Sequence, residues 1–288
     1  MTIRLILDPY DSGHRDRRMG RGPMVLARNG LADRLAQVGT PVETTMVEFD
    51  TEFPIEMATT FGLLAEIARQ VQAARSAGEF PLVVSGSCNC TTGALTGFDL
   101  DRLALVWFDA HGDFHTPETT SSGFMGGLPL SIALGHCWQT MAASIPGYTP
   151  LSEDRVVMVG LRDVDPPEAA RFAEFDMTTL SDSDILDQGV EEALGRALQP
   201  LAEKIDGIYL HLDLDVCDPA VAPVNPYQTP GGLSLETVEA SMQVLASRHP
   251  IVGASVTAYD PGCDPTGKGM QAAFELLETL VSLVGKED

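Results

Sequence analysis

Two uninterrupted apolar runs that end in carboxylates constrain this chain more than any other feature. Leu103–Phe108 is wholly apolar and is followed at once by Asp109-Ala110-His111-Gly112-Asp113. Ile208-Tyr209-Leu210-His211-Leu212 is nearly so and runs into Asp213-Leu214-Asp215. Runs this short and this apolar read as strands covered on both faces, the kind found inside parallel sheets. In extended backbone, positions i, i+2 and i+4 point to one side. Asp109, His111 and Asp113 then form one group, and Asp213 and Asp215 a second. Carboxylates at the ends of buried strands are costly unless cations pair them. The economical reading is one divalent-metal centre built from two strand ends and able to activate a water.

The rest of the chain fits the same architecture. Apolar stretches at 3–8, 42–49, 82–85, 103–109, 156–160, 207–213 and 251–257 read as strands, with a weaker one at 175–177. Patterns at 23–38, 57–77, 128–134, 167–173, 184–202, 235–247 and 268–283 read as helices between them. Pro23 suits a first helical position. Strands alternating with helices predict a parallel sheet clothed on both faces. Such sheets bind ligands at the C-terminal ends of their strands. Segments 85–90, 109–113, 160–165, 213–218 and 257–260 are therefore expected at one edge. No repeat, low-complexity tract or linker-like boundary interrupts the 288 residues, which predicts one domain over 1–288.

Composition narrows the function classes. With 41 acidic against 18 basic residues the net charge is -23, which disfavours nucleic acid and anionic membranes as partners and leaves small molecules. A hydrophobic content of 44% supports a sizeable core and argues against disorder. The cysteines, Cys88, Cys90, Cys137, Cys217 and Cys263, are odd in number and scattered, so no disulfide framework is expected. The first residues lack a signal-peptide pattern and no apolar run reaches spanning length, so the expected location is cytoplasmic.

Several motifs, taken in order, resemble the arginase (ureohydrolase) family over nearly the whole chain. They are Gly22-Pro23, Asp109 to Asp113, Gly160-Leu161-Arg162-Asp163-Val164-Asp165-Pro166, Asp213 to Asp215 with Asp218-Pro219, and Gly231-Gly232-Leu233. The resemblance implies a three-layer α/β/α fold around an eight-stranded parallel sheet, a pair of Mn²⁺ ions, and homo-oligomers (trimers or hexamers). It implies that Asp109, Asp113 and Asp213 ligate one ion, and Asp109, His111, Asp213 and Asp215 the other. Asp113 and Asp213 are then needed for activity as well as metal retention. The loop from His115 to Gly123 resembles the one that binds an amino acid's α-carboxylate. Thr120 and Ser122 stand at contacting positions, and His115 replaces a usual Asn. Asp165 and Glu168 match the positions that take the α-amino group. Hydroxyls suit a carboxylate, and an acidic pair suits an ammonium.

Three positions depart from the family pattern. Ser85-Gly86-Ser87-Cys88 stands where the family usually reads Gly-Gly-Asp-His, so Cys88 takes the place of a ligating His. A thiolate binds metal but prefers softer ions such as Zn²⁺ to Mn²⁺; most free cysteines are simply small buried hydrophobes. Ala258 stands where arginases carry a Glu that grips the guanidinium. Gly126 stands where the family often has a His that helps move a proton to the leaving amine, which leaves His115 and His136 as the imidazoles to consider. His211 falls on the same side as Asp213 and reads either as a neighbour of the metal ligands or as a satisfied core histidine.

The leading expectation is a metal-dependent hydrolase that cleaves a non-peptide C–N bond in a linear amidine or guanidine of a small amino-acid-like substrate, arginine or an analogue. The alternative is a catalytically weak or inactive relative that binds an amino acid. A deacetylase-like amide hydrolase shares the fold, but the amino-acid-binding loop argues against acetylated protein substrates.

Overall fold

The computed structural model describes residues 1–50 and 55–285. Its centre is an eight-stranded sheet. The strands are β1 (Ile3–Asp8), β2 (Val42–Met46), β3 (Phe80–Ser85), β4 (Leu103–Phe108), β5 (Val156–Leu161), β6 (Thr178–Ser181), β7 (Gly207–Asp213) and β8 (Ile251–Thr257). They lie in the order β2-β1-β3-β8-β7-β4-β5-β6, and every pairing is parallel.

The apolar runs are strands because both of their faces are covered. In β4, Ala104, Val106 and Phe108 enter one core, while Leu103, Leu105 and Trp107 enter the other. Helices Gly22–Arg28, Leu31–Gln37, Leu235–Arg248 and Lys268–Val284 pack on the first face through Leu26, Leu35, Met242 and Leu277. Glu56–Ser76 and Pro129–Ala133 cover the second through Phe61, Ile67 and Ile132. This is the alternation that a doubly clothed parallel sheet demands.

The structure redraws several boundaries. The pattern at 23–38 is two helices, because Gly30 adopts φ 86° between them. The pattern at 184–202 is likewise Asp182–Gln188 and Val190–Leu198, separated at Gly189 with φ 83°. A glycine in the left-handed region ends a helix without disturbing the apolar stripe on either side. The weak strand expected at 175–177 is displaced to β6. Phe175 and Met177 look strand-like because they pack against the core from a turn. The strand expected at 42–49 ends at Met46. The short helix Cys90–Leu95 had no signal, since all six of its residues are buried and no polar face sets a period. Among the described residues no helix is long and apolar enough to cross a membrane, and the five cysteines are free.

Candidate metal centre and substrate pocket

The C-terminal ends of β3, β8, β7, β4 and β5 lie side by side, and the acidic motifs leave from them. The register sets Trp107 beside His211 and Asp213 beside Thr257, so the ends are level. The ligand-type side chains converge, though not by strand alternation as the spacing suggested. β4 stops at Phe108, and Asp109 Oδ1 accepts a hydrogen bond from the backbone N–H of His111 at 2.7 Å. Asp213 Oδ1 does the same for Asp215 at 2.9 Å, opening a 3-10 turn over Leu214–Val216. In both motifs the leading aspartate folds the next residues back onto itself, as aspartates do in turns. Asp113 completes the loop with φ 49°.

The ligand atoms of Cys88, Asp109, His211 and Asp213 all lie within 4.8 Å of one another, as do those of Asp109, His111 and Asp215. Cys88 Sγ donates to Asp213 Oδ2 at 3.1 Å and lies 3.3 Å from Thr257 Oγ1. The Thr257 hydroxyl donates to the same carboxylate oxygen at 3.0 Å. His111 Nδ1 sits 3.3 Å from both Asp109 and Asp215. Asp113 Oδ2 is buried with no hydrogen-bond partner among the described residues. A buried carboxylate oxygen left unpaired is expensive.

Burial, reinforced by the charge of Asp109, pushes the Asp113 carboxyl well above the usual range. Burial and then Asp215 do the same to Asp213 and lift Asp109 to about 6. Burial also raises Asp215, but His111 with the donors Asn225 and Ala110 N–H outweighs it and holds that carboxyl below its ordinary value. The Cys88 thiol is raised by burial and then by Asp213. The donor set therefore suits divalent cations: it is rich in hard oxygens, short of positive charge, and contains an oxygen with nothing to bind.

The surrounding residues hold the candidate ligands in place. Trp107 Nε1 donates to Asp109 Oδ2 at 3.0 Å, and Asn225 Nδ2 donates to Asp215 Oδ2 at 3.0 Å. His111 Nε2 donates to the Tyr227 carbonyl at 3.1 Å. Outer partners of this kind fix the tautomer and orientation of metal-binding side chains. His211 stacks on Trp107 with centroids 3.7 Å apart, and its Nδ1 lies 2.6 Å from Thr91 Oγ1. Burial lowers it to about 3, so it is a neutral packed histidine against the cluster. Trp107, Thr257, Asn225 and Tyr227 escaped sequence reading because each is a single residue on a different element. Only the place of Thr257 at a strand end hinted at it.

Above the cluster opens a pocket of about 230 Å³, walled in part by His115, Asp165, Glu168, Phe124, Tyr227 and Ala258. His115 Nε2 lies 3.2 Å from Asp165 and 3.6 Å from Glu168. Asp165 also caps helix Pro166–Glu174, and Glu168 accepts from the Phe114 N–H at 2.9 Å. Thr120 and Ser122 are off the pocket wall. Their hydroxyls lie 3.4 Å apart and cap the N–H groups of Gly123 and Phe124. His136 is also off the wall, 2.7 Å from Glu153 and 2.9 Å from Arg171. Asp260 is turned to its own loop, where it accepts from Gly262 N–H at 2.8 Å. At Gly126 a Cβ would lie 2.5 Å from the Phe124 ring, so that ring fills the space a longer side chain would take.

The raised carboxyls give a stability signature. Asp109, Asp113 and Asp213 hold protons more tightly folded than unfolded, so their contribution is complete below the ordinary carboxyl value near 4 and fades as pH rises through about 6 and beyond. Protein treated with a chelator is therefore expected to melt at higher temperature at pH 5 than at pH 7.5. Equal melting temperatures in chelator would contradict the buried-acid description.

Comparison with known proteins places the chain in a family. The model of the Arginase family matches residues 2–282. The arginase of Bacillus subtilis (strain 168) is 30% identical over 297 residues, covering 99% of this chain and 98% of that protein. Its crystal structure superposes with a TM-score of 0.88 at 29% identity over 99% of both chains. A formimidoylglutamase structure from the same species shares the fold, with a TM-score of 0.76 at 16% identity over 98% of this chain and 87% of the other. The chain belongs to the arginase family and is a ureohydrolase-type enzyme.

Proposed function

We propose that residues 1–288 form one hydrolase domain that uses divalent metal to cleave a C–N bond in a linear amidine or guanidine of a small amino-acid-like substrate. The observation that carries this reading is the unpartnered Asp113 oxygen in an acidic cluster on the floor of a pocket. Cys88, Asp109, Asp113 and Asp213 would hold one ion, and Asp109, His111, Asp213 and Asp215 the other. Two Mn²⁺ are expected, with Zn²⁺ or another softer ion favoured at the Cys88 site. Metal held by these residues would supply a nucleophile from water at neutral pH and stabilise developing charge.

The chain's own residues do the rest. Trp107 and the turn at His111 aim Asp109, and Asn225 aims Asp215. His115, Asp165 and Glu168 take the non-reacting end of the substrate, together with Thr120 and Ser122 after a rearrangement of their loop. His115 is the wall imidazole that can hand a proton to the leaving amine, since Gly126 offers none. Ala258 leaves the head-group end without a fixed anion. This favours a modified guanidine, a formimino group or an amide over the full guanidinium of arginine. A cytoplasmic homo-oligomer, trimeric or hexameric, is the expected form.

The test is purification with Mn²⁺, elemental analysis, and a screen of arginine, hydroxyarginine, agmatine, guanidinobutyrate and formiminoglutamate. About two metal equivalents and hydrolysis of at least one compound are expected, with activity lost in Asp109→Asn. No C–N hydrolysis across the set would sink the catalytic reading. The Phe124 ring over Gly126 and the missing anion at Ala258 favour a second reading, a weak or inactive amino-acid binder; it would show calorimetric binding without turnover.

Cys88→His is expected to raise Mn²⁺ affinity by about tenfold or more, because imidazole is the harder donor. Titration calorimetry reads the change, and unchanged affinity would mean that Cys88 does not touch the metal.

A further inference from the structure

Arg18 stands outside the pocket but is tied to its rim. Its φ is 45°, a region that non-glycine residues occupy at a cost and that clusters where a function needs it. Ser12 and Asp16 in the same loop share this conformation, and the Arg18 side chain is 45% exposed, yet its end is tied down. Arg18 has three partners. Its Nε lies 2.6 Å from Oδ2 of the fully buried Asp11, and its Nη1 donates to the Tyr227 hydroxyl at 2.9 Å. Its Cζ lies 5.4 Å from the centre of the Phe124 ring. Neither Asp11 carboxylate oxygen has a hydrogen-bond partner among the described residues, so Asp11 anchors the guanidinium by charge, and the hydrogen bond to Tyr227 sets its direction.

The two rings it touches both line the pocket. Phe124 and Tyr227 stack with centroids 5.2 Å apart and planes 27° from parallel. Phe124 reaches inward only because Gly126 has no side chain to oppose it. Tyr227 faces two ways: its hydroxyl meets Arg18 and its carbonyl meets His111. The rim is thereby held in register with the cluster below. The space it bounds, about 230 Å³, is under the roughly 300–1,000 Å³ usual for ligand pockets.

We propose that Arg18 is a specificity-determining positioning residue: through Tyr227 and Phe124 it fixes an aromatic rim that admits compact planar head groups and excludes N-alkylated ones. This rests on the amidinohydrolase reading above. Arg18→Gly removes the guanidinium and relieves the backbone, whereas Tyr227→Phe removes only the hydroxyl.

With metal-loaded enzyme, kcat/KM is measured for an amidine substrate and for its N-methyl derivative. Each single variant is expected to lower the preference for the unsubstituted compound about tenfold, and the double variant no further, because the two residues act as one unit. Arg18→Lys, which reaches one partner but not both, is expected to fall between. An unchanged preference in Arg18→Gly, or effects that multiply in the double variant, would overturn the proposal. Amide hydrogen exchange gives an arm independent of turnover. Segment 225–230 is expected to exchange about tenfold faster in Arg18→Gly, and unchanged exchange also overturns the proposal. If the unaltered enzyme hydrolyses no amidine, the functional reading has failed, and exchange alone decides whether Arg18 holds the rim.

Discussion

Asp213→Asn is expected to remove activity while leaving the fold intact. Asp213 is buried and meets Cys88, Thr257 and the backbone N–H of Asp215. Asparagine keeps the shape and can still accept from Asp215, so the turn survives. The negative charge does not. Removing one partner of a buried charge pair costs about 3–5 kcal/mol, or roughly 10²–10⁴-fold in affinity, and here one carboxylate is proposed to serve two ions. Metal retained after dialysis should fall, and kcat/KM should drop by about 10³-fold or more. Melting in chelator should stay level or rise, because the variant no longer buries a carboxyl that its surroundings push upward. A variant that keeps two equivalents of metal and measurable turnover would remove Asp213 from the proposed ligand set.

Ala258→Glu is the second large effect, in the opposite direction. Ala258 is 5% exposed and on the pocket wall, at the end of β8. A carboxylate there would face the end of the pocket where a guanidinium lacks a partner. Leaving a buried cation without its partner costs about 2–5 kcal/mol, so supplying one should tighten arginine by up to roughly 30- to 4,000-fold, read as a fall in KM. Neutral-headed substrates should gain nothing. Without ligand the new buried acid should lower the melting temperature, and arginine should restore it. If KM for arginine does not change, the head group does not lie beside residue 258.

The fold was legible because the chain's apolar runs are buried on both sides and alternate with helical patterns, the combination that a parallel sheet clothed by helices requires. What escaped was punctuation. Gly30 and Gly189 each stop a helix inside an amphipathic pattern that reads straight through them. Phe175 and Met177 mimic a strand because they feed the core from a turn. For the site, the strand-end rule placed Cys88, Asp109, His111, Asp113, Asp213 and Asp215 correctly in one neighbourhood, yet the reason was different. Turns made by Asp109 and Asp213 aim the side chains, and period-2 spacing does not. Thr120 and Ser122 show the limit of reading a hydroxyl-rich loop: its hydroxyls can serve a ligand or cap their own backbone, and the composition is identical in both cases. The positions of Trp107, Asn225 and Tyr227 against the ligands depend on contacts between residues far apart in the chain, which no local pattern encodes.

The place of β8 in the sheet has a bearing on how such a protein comes to life. Residues 251–257 lie between β3 and β7, although they come after the other seven strands of this sheet in chain order. Until they arrive, a growing chain can offer only two separate half-sheets. One, β2-β1-β3, leads into Cys88; the other, β7-β4-β5-β6, leads into the aspartates. Each has an open edge that invites wrong partners. The thiol meets the acids only when this keystone strand seats itself, so the proposed Cys88 site is the last to be completed, whereas the acids proposed for the other ion all leave β4 and β7, which pair without it.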